Sequence, residues 1–405
     1  MSFPLRDVIL AFALKSKKGR SDLISLETSF ARFIGVEHAI FVPSGRIALY
    51  LILKHAGLRP GDEVLLPAFT FFAVPQVIRA LALKPVFVEV NPGNCGMNLS
   101  DAEERITSRS RAIIPTHLFG IGADLEGITS LARKHKLMVI EDCAQGCGAE
   151  KNGKKLGSFG EASYFSFSLT KNITCLGGGM IVTKSKELAE KIRNEVGGRP
   201  PIPMGSLVTN FIKILAMKTS TFPPVYNWMT FPIVSRLGRK GKDVINDLFR
   251  EKEEVDLTTE KIDKSIKIPP NIQARIGIRQ LKRVRGVNAG RLRNGTYLLR
   301  ALEKRGAVLE WKPAENPGNI FMSFIVLATE RQEARNELWE MGIDTSIGFM
   351  SFCPSFFAPQ DAEQYPQAKR ISESILHIPV YPSLKEKELE LIAGAVGRAL
   401  KDRTI

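Results

Sequence analysis

Residues 137–144, LMVIEDCA, form a short apolar run that ends in acidic and small residues. Five similar runs lie before and after it in the chain: AIFVP (39–43), EVLLP (63–67), PVFVEV (85–90), AIIPTHLF (112–119) and YFSFSL (164–169). Amphipathic stretches with a helical pattern, such as 46–55 and 124–135, separate several of these runs. Continuous apolar strands that alternate with helices predict an α/β fold with a mostly parallel sheet covered on both faces.

The composition is that of an ordinary folded protein, with 405 residues, 44% of them apolar and 24% charged. Lys and Arg number 57 against 42 Asp and Glu, and the net charge of +15 favours anionic partners such as phosphates, nucleotides or an anionic membrane face. The five scattered cysteines disfavour a disulfide framework or a structural zinc site. The N-terminus lacks the pattern of a secretion signal, and no apolar run is long enough to span a membrane. We therefore expect a cytoplasmic protein that is soluble or at most surface-bound.

The pattern changes twice along the chain. We expect a large α/β domain over residues 1–250 and a smaller α+β domain over 251–405, which ends in a helix near 385–401. A stretch at about 204–242 interrupts the first domain, because it is apolar and aromatic and carries six positive residues but no acid. It is interpreted either as a surface helical hairpin that packs on its own domain or as a patch that faces anionic lipid.

Two charged residues follow predicted strands. Lys171 stands between the strand at 164–169 and a triple glycine at 177–179, which suits a Schiff-base lysine beside a phosphate but also a solvated loop charge. Side chains alternate along a strand, so Glu141 and Asp142 cannot both face one pocket. A buried carboxylate at Asp142 needs a cationic partner, either a protonated pyridine nitrogen or a nearby Lys or Arg.

Two further segments lie at strand ends. The Ser44-Gly45-Arg46-Ile47 segment joins a strand to a helix, where backbone N–H groups and the positive helix end can face an anion. The aromatic cluster that contains Phe71 either stacks on a planar ring or belongs to the core. Ligands of parallel sheets gather at the carboxyl ends of the strands, so one pocket can hold all of these groups.

In this order and spacing the segments resemble the DegT/DnrJ/EryC1/StrS family of sugar aminotransferases, which are pyridoxal-phosphate enzymes of the aspartate-aminotransferase fold (fold type I). The strongest matching pieces are PGDEVLLPAFTF (60–71), VIEDCAQ (139–145), GSFGEASYFSFSLTKN (157–172), IQARIGIRQL (272–281) and YPQAKRISESILHIPVYPSL (365–384). The resemblance implies a mostly parallel seven-stranded sheet sandwiched by helices, and a smaller C-terminal α+β domain.

Residue by residue, the resemblance implies a site for pyridoxal 5'-phosphate. Lys171 would form the Schiff base and shuttle the proton, and Asp142 would hold the pyridine nitrogen in its protonated form. Phe71 would stack on the ring, and Gln145 would contact the cofactor near its face or its 3-hydroxyl. No metal is expected.

The phosphate of the cofactor would be bound by the strand–helix junction. The resemblance assigns it to Ser166 and to the turn made by Ser44, Gly45, Arg46 and Ile47, whose backbone amides would donate to it.

Four departures from the family pattern stand out. Arg46 replaces a small hydroxyl residue, and Ser168 stands at the usual His or Tyr position before the lysine. Ile266-Lys267-Ile268 replaces an Asn-Tyr-Arg triplet whose asparagine reaches the phosphate of the neighbouring subunit. An apolar run from Gly348 to Phe357 replaces a His-Tyr substrate motif.

The resemblance implies an aminotransferase that moves an amino group, with glutamate as the expected donor, to a nucleotide-linked or lipid-linked keto-sugar. It would act in the biosynthesis of envelope polysaccharide, glycolipid or secondary metabolites. A homodimer with shared active sites is expected, without nucleic acid and with possible peripheral contact at the inner membrane face through 204–242. Two alternatives remain: a regulatory or structural homologue without turnover, and a pyridoxal-phosphate sugar dehydratase, which Lys171 disfavours because the dehydratases carry histidine there.

Overall fold

The secondary structure alternates between strands and helices in the first half of the chain. The structure is a computed structural model that describes residues 8–11, 20–239, 255, 257–313, 316–401 and 403. Its strands are β1 (His38–Val42), β2 (Glu63–Pro67), β3 (Phe69–Phe71), β4 (Lys84–Val88), β5 (Ser110–Ile113), β6 (Met138–Asp142), β7 (Glu150–Lys151), β8 (Lys154–Lys155), β9 (Ala162–Ser166), β10 (Gly179–Thr183), β11 (Phe324–Leu327), β12 (Met350–Phe352) and β13 (Ile375–Ile378).

The α-helices are α1 (Ser21–Ile34), α2 (Gly45–His55), α3 (Ala73–Ala80), α4 (Leu99–Glu104), α5 (Leu125–His135), α6 (Lys186–Gly197), α7 (Met204–Ser220), α8 (Pro223–Val225), α9 (Phe231–Gly238), α10 (Thr259–Ser265), α11 (Asn271–Lys304), α12 (Arg331–Glu340), α13 (Pro354–Phe357), α14 (Pro366–Ser374) and α15 (Glu386–Ala399). A π-helical turn spans Tyr226–Thr230, and 3₁₀ turns span Leu118–Gly120 and Pro359–Gln364. Among the described helices, none has both the length and the apolar character needed to cross a membrane.

Seven strands form the central sheet, in the order β1-β10-β9-β6-β5-β2-β4. The five strands from β9 to β4 are parallel, whereas β10 pairs antiparallel with both β9 and β1. The predicted mostly parallel sheet is confirmed. Because β10 runs in the opposite direction, its first residues lie at the same edge as the last residues of β1, β6 and β9.

Both faces of the sheet are covered, as the apolar strands predict. In β1, Ile40 and Val42 pack into the core that contains α2, whereas Ala39 and Phe41 pack into a second core that contains α1 and part of α11. Burying a Leu, Ile or Phe side chain contributes about 1.5–3 kcal/mol. The packing of the two cores on both faces therefore fixes the position of the sheet edge at which β1, β6 and β9 end.

Several predicted strands are shorter than their apolar runs, and the run at 164–169, for example, forms β9 only as far as Ser166. The run at 112–119 forms β5 only as far as Ile113. Pro115 has no N–H to donate to a sheet, although its carbonyl accepts the N–H of Asp142 at 2.9 Å. A 3₁₀ turn follows, in which Phe119 has φ +58°. The expectation of a strand up to residue 119 is wrong for this reason.

The C-terminal part has its own two-stranded antiparallel sheet, β11 with β13, packed against helices that include α12 and α14. The long helix α11 contacts α1 in the first half of the chain and α15 at the end. Strand β12 pairs antiparallel with β3, so the C-terminal part also contributes one wall at the edge of the large sheet. The proposed domain boundary near 250 lies outside the described residues and stays a prediction.

Candidate active site

Lys171 lies in the loop after β9, five residues beyond the end of that strand at Ser166. Its backbone N–H donates to the carbonyl of Ser168 at 3.2 Å, which turns the loop back toward the sheet edge. Burial lowers the pKa of Lys171 to about 8, and the negative charge of Asp142 opposes that fall. The amine is therefore partly neutral near physiological pH, which is the form that attacks a carbonyl carbon.

Asp142 is the last residue of β6, and only 3% of its surface is exposed. Its Oδ1 accepts the N–H of Ala144 at 2.9 Å. Burial raises the pKa of Asp142 above its ordinary value, while the Tyr164 hydroxyl and the Lys171 amine oppose the rise. The carboxylate and the amine thus act on each other's charge, so the structure brings these two predicted residues near one another.

Glu141 points to the opposite side of the sheet, as strand alternation requires. It is fully buried and accepts the N–H groups of Gly157 at 2.8 Å, Phe159 at 2.8 Å and Gly160 at 2.9 Å. Nε2 of His117 lies 3.1 Å from Glu141, and Nδ1 of the same ring accepts the N–H of Ala123 at 3.1 Å. Because Nδ1 accepts, Nε2 carries the proton and donates to Glu141.

Tyr164 was not among the residues singled out from the sequence. It faces Asp142 because the two residues are partners on neighbouring parallel strands. Burial raises the pKa of Tyr164 well above its ordinary value, and the Asp142 charge raises it further. The hydroxyl therefore stays protonated beside the carboxylate. Its position on the strand before Lys171 was a signal that sequence analysis could have used.

The residues predicted to bind the phosphate lie where β1, β9 and β10 meet α2. Ser44 is the N-cap of α2, and its hydroxyl accepts the N–H of Ile47 at 3.2 Å. A Cβ at Gly45 would lie 3.2 Å from Cβ of Ser166, so the helix start and the end of β9 are in close contact. The structure thus brings the predicted residues together, but the amide of Ile47 is already bonded to Ser44. Arg46 lies half-buried in the first turn of the helix.

The triple glycine at 177–179 supports this junction. Gly177 and Gly178 have φ +103° and +112°, which disfavour any residue with a side chain. A Cβ at Gly179 would lie 2.5 Å from the backbone carbon of Ser44. The glycines therefore permit β10 to begin directly against the turn that opens α2.

Gln145 and Phe71 belong to a second side of the candidate site. The side-chain oxygen of Gln145 accepts the N–H of Phe119 at 2.9 Å, and its nitrogen lies 3.6 Å from the sulfur of Met350. Met350 is the partner of Phe71 in the β12–β3 pair, and Phe71 is 40% exposed. The ring is not part of the core, and it is accessible to a planar ligand. Phe71 lies in the short strand β3 rather than directly after β2.

Two departures from the family pattern have structural explanations. Ile266 is buried in the core, and the N–H of Ile268 donates to the carbonyl of Pro200 at 2.9 Å, so this segment closes the base of the insert. At Gly348 a Cβ would lie 2.2 Å from Nε2 of His377. The imidazole of His377 therefore lies directly against the backbone at Gly348.

The residues also fit pyridoxal phosphate on chemical grounds. An amine whose pKa is lowered by burial suits Schiff-base formation, and a buried carboxylate suits a pyridinium nitrogen. The turn at Ser44–Gly45 packs against Ser166 and provides a helix N-terminus for a phosphate.

Comparisons with known proteins identify the family and the fold of the chain. A sequence model of the DegT/DnrJ/EryC1/StrS aminotransferase family matches residues 16–199 and 249–397. A UDP-N-acetyl-3-dehydro-α-D-glucosamine 3-aminotransferase of Acidithiobacillus ferrooxidans is 32% identical, over 98% of this chain and 95% of its own length. A pleiotropic regulatory protein of Geobacillus stearothermophilus is 31% identical, over 92% of this chain and 87% of its own. The solved structure of an aminotransferase from Psychrobacter cryohalolentis, 24% identical, superimposes with a TM-score of 0.74 over 99% of this chain and 98% of that one.

Proposed function

Because this chain belongs to the DegT/DnrJ/EryC1/StrS family of sugar aminotransferases, we propose that it transfers the amino group of glutamate to a keto-sugar. Its fold is the type I fold of pyridoxal-phosphate aminotransferases. The observation that carries the proposal is the mutual electrostatic effect of Lys171 and Asp142 at one sheet edge, next to a helix N-terminus.

The cofactor in this proposal is pyridoxal 5'-phosphate. Lys171, Asp142, Gln145 and Phe71 would hold its ring, and the junction of Ser166 with residues 44–47 would hold its phosphate. When bound, the cofactor supplies an electron-accepting ring that carries the amino group between the donor and the acceptor.

Lys171 and Asp142 have distinct tasks in this site. The Lys171 amine, with a pKa of about 8, can both take up and release a proton near neutral pH, as a proton shuttle at the reacting carbon must. Asp142 would hold positive charge on the pyridine nitrogen, since a cation stabilises its buried carboxylate. Tyr164 keeps the carboxylate in place by packing beside it.

The acceptor is proposed to be a keto-sugar attached to a nucleotide or lipid carrier, in the biosynthesis of polysaccharide, glycolipid or a secondary metabolite. The name of the Acidithiobacillus relative specifies a UDP-linked dehydro-sugar, which supports an anionic carrier. The net charge of +15 is compatible with such a substrate. A dehydratase is disfavoured because Lys171 is present.

We further propose a cytoplasmic homodimer with shared active sites, in peripheral contact with the inner membrane face through 204–242. The dimer rests on the family resemblance alone. Light scattering on the purified protein is expected to give twice the chain mass of 44.9 kDa. A monomer that is fully active would contradict the shared site.

Absorbance spectroscopy tests the function. Purified protein is expected to show the visible absorbance of bound pyridoxal phosphate, and glutamate is expected to bleach it. Borohydride reduction followed by peptide mass spectrometry should locate the cofactor on Lys171, and Lys171→Ala should abolish that adduct. Arg279→Lys, on α11 outside the proposed site, is the matched control and should retain it. Protein without bound cofactor, even after incubation with it, would favour a regulatory homologue without turnover.

A further inference from the structure

The insert exposes an unusual number of large apolar side chains. More than half of the exposed large apolar side chains in the described chain lie between residues 204 and 233. They form what we call the insert surface: Met204, Val208, Ile212, Leu215, Phe222, Trp228, Met229 and Ile233. Exposed apolar groups concentrated in one segment mark an interaction site.

The exposed apolar side chains of α7 follow the repeat of the helix and form a stripe. Met204, Val208, Ile212 and Leu215 are spaced by four, four and three residues, which places them along one side of the helix. The adjoining side of the helix carries Leu207 and Ile214, which are buried in a cluster with Leu176, Ile272 and Ile276. The core contacts therefore fix the rotation of α7, and the stripe is left facing outward.

The far end of the insert is also held by the rest of the protein. Gly238 lies so close to Trp339 that a Cβ there would be 1.9 Å from the indole ring, and its carbonyl accepts the side-chain N–H of Gln332 at 3.3 Å. Between the helices, the Thr230 hydroxyl donates to the carbonyl of Ser220 at 2.8 Å. The insert surface is thus presented by a segment anchored at both ends.

The charges of this segment are of one sign. Residues 204–239 include Lys213, Lys218, Arg236 and Arg239 but no Asp or Glu. Arg239 lies 3.8 Å from Glu340, whereas no acidic group in the described part of the chain lies within ion-pair distance of the other three cations. Each Lys or Arg near an anionic lipid surface contributes about 1 kcal/mol of attraction.

Apolar side chains combined with uncompensated cations match the chemistry of an anionic bilayer. Trp228 is 87% exposed, and indole rings favour the boundary between water and lipid. The sequence model of the family leaves out residues 200–248, so the surface is not part of the scaffold that the family shares. Aminotransfer on a soluble substrate gives no reason to expose it.

We propose that the insert surface docks the protein on anionic lipid, with the stripe of α7 and the Trp228 region inserted at the headgroup level. This inference goes beyond the proposed aminotransferase reaction and does not depend on it, because it concerns residues outside the cofactor cleft. The cations would draw the protein to the bilayer, and burial of the apolar side chains would retain it there.

Vesicle flotation of the full-length protein tests the proposal. At low salt we expect the wild type to float with mixed phosphatidylglycerol–phosphatidylcholine vesicles and to stay behind with pure phosphatidylcholine vesicles. The variant Lys213→Glu/Lys218→Glu should bind the mixed vesicles at least about 30-fold more weakly, because two attractive charges are lost. Ile212→Ser/Trp228→Ser should also bind more weakly and should not regain binding when the anionic lipid content is raised.

The matched control is Leu391→Ser, an exposed leucine on α15 outside the insert, which should float like the wild type. Every substituted side chain is exposed, so each variant is expected to fold. Circular dichroism checks this expectation. Equal flotation of the wild type and both insert variants, or no flotation of the wild type with either vesicle, would overturn the proposal. So would a lower sedimentation coefficient of Ile212→Ser/Trp228→Ser without lipid, since the surface would then bind a second copy of the chain.

Discussion

The carboxylate of Asp142 and the amine of Lys171 perturb each other's ionisation at one edge of the central sheet. Burial lowers the pKa of Lys171, and Asp142 opposes the fall. Burial raises the pKa of Asp142, and Lys171 is one of the groups that oppose the rise. Each charge is therefore incompletely compensated by the protein, and a ligand that adds a cation beside Asp142 and consumes the amine of Lys171 would relieve both.

The first prediction concerns the pH dependence of cofactor capture by the apoprotein. The rate should rise with pH and reach half of its plateau near pH 8, because only the neutral amine of Lys171 attacks the cofactor aldehyde. In Asp142→Asn the negative charge that raises the pKa of Lys171 is absent, so the midpoint should move to lower pH. Stopped-flow absorbance with added pyridoxal phosphate measures both profiles. An unchanged or upward-shifted midpoint in the variant would show that the two groups do not interact.

The second prediction concerns the buried carboxylate of Glu141. Burial opposes its ionisation, but the bonds from His117 and from the amides of Gly160 and Gly157 outweigh burial, and the pKa of Glu141 lies below its ordinary value. Glu141→Gln should lower the free energy of unfolding at pH 7 by about 3–5 kcal/mol, because an amide nitrogen would face N–H donors. Denaturant titration measures the loss.

The same carboxylate gives a pH dependence with a definite sign. Since the pKa is lower in the folded state, this stabilisation is complete above pH 4.5 and is lost as pH falls through the folded-state pKa. Glu141→Gln should not show this part of the fall in the free energy of unfolding at low pH. Glu190→Gln on the exposed face of α6 is the control and should stay within about 0.5 kcal/mol of the wild type. If Glu141→Gln were as stable as the control, the stabilising role of the Glu141 carboxylate would be refuted.

The third prediction concerns the contact between β10 and the turn before α2. Gly179→Ala should destabilise the protein and weaken cofactor retention, because the added carbon would lie 2.5 Å from the backbone of Ser44. An overpacked core site of this kind costs about 1–3 kcal/mol. Gly394→Ala, in the helix α15 with open space around the added carbon, should instead stabilise by about 0.5–1 kcal/mol. Thermal unfolding and equilibrium dialysis of the cofactor compare the two, and a neutral Gly179→Ala would contradict the close contact.

The fourth prediction concerns Gly348 and His377. Gly348→Ala should be destabilised both by contact with the His377 imidazole at 2.2 Å and by φ +77°. In the double variant Gly348→Ala/His377→Ala the steric part should be relieved, which leaves about 1 kcal/mol for the backbone. A double-mutant cycle on the free energy of unfolding separates the two parts. Additive effects would mean that the imidazole does not occupy this space.

Much of the fold could be predicted because the information is local. The apolar runs of β2 and β6 and the alternation that sends Glu141 and Asp142 to opposite sides are properties of a strand and its neighbours in sequence. The Ser44 cap is a local property of the same kind, because a helix N-terminus needs an acceptor for its first N–H groups.

Other features depend on contacts between segments far apart in the sequence. The pairing of β12 with β3, which places Met350 between Gln145 and Phe71, joins residues about 280 positions apart. The contact of His377 with Gly348 and the position of Tyr164 beside Asp142 likewise depend on pairing between separate segments of the chain. The sequence alone supplied the candidate site residues and determined that Glu141 and Asp142 lie on opposite sides of one strand, since the geometry of that strand decides this. Only the tertiary structure decided which of them meet, because burial and electrostatic effects depend on the distances between segments, and these are set by packing of the whole chain.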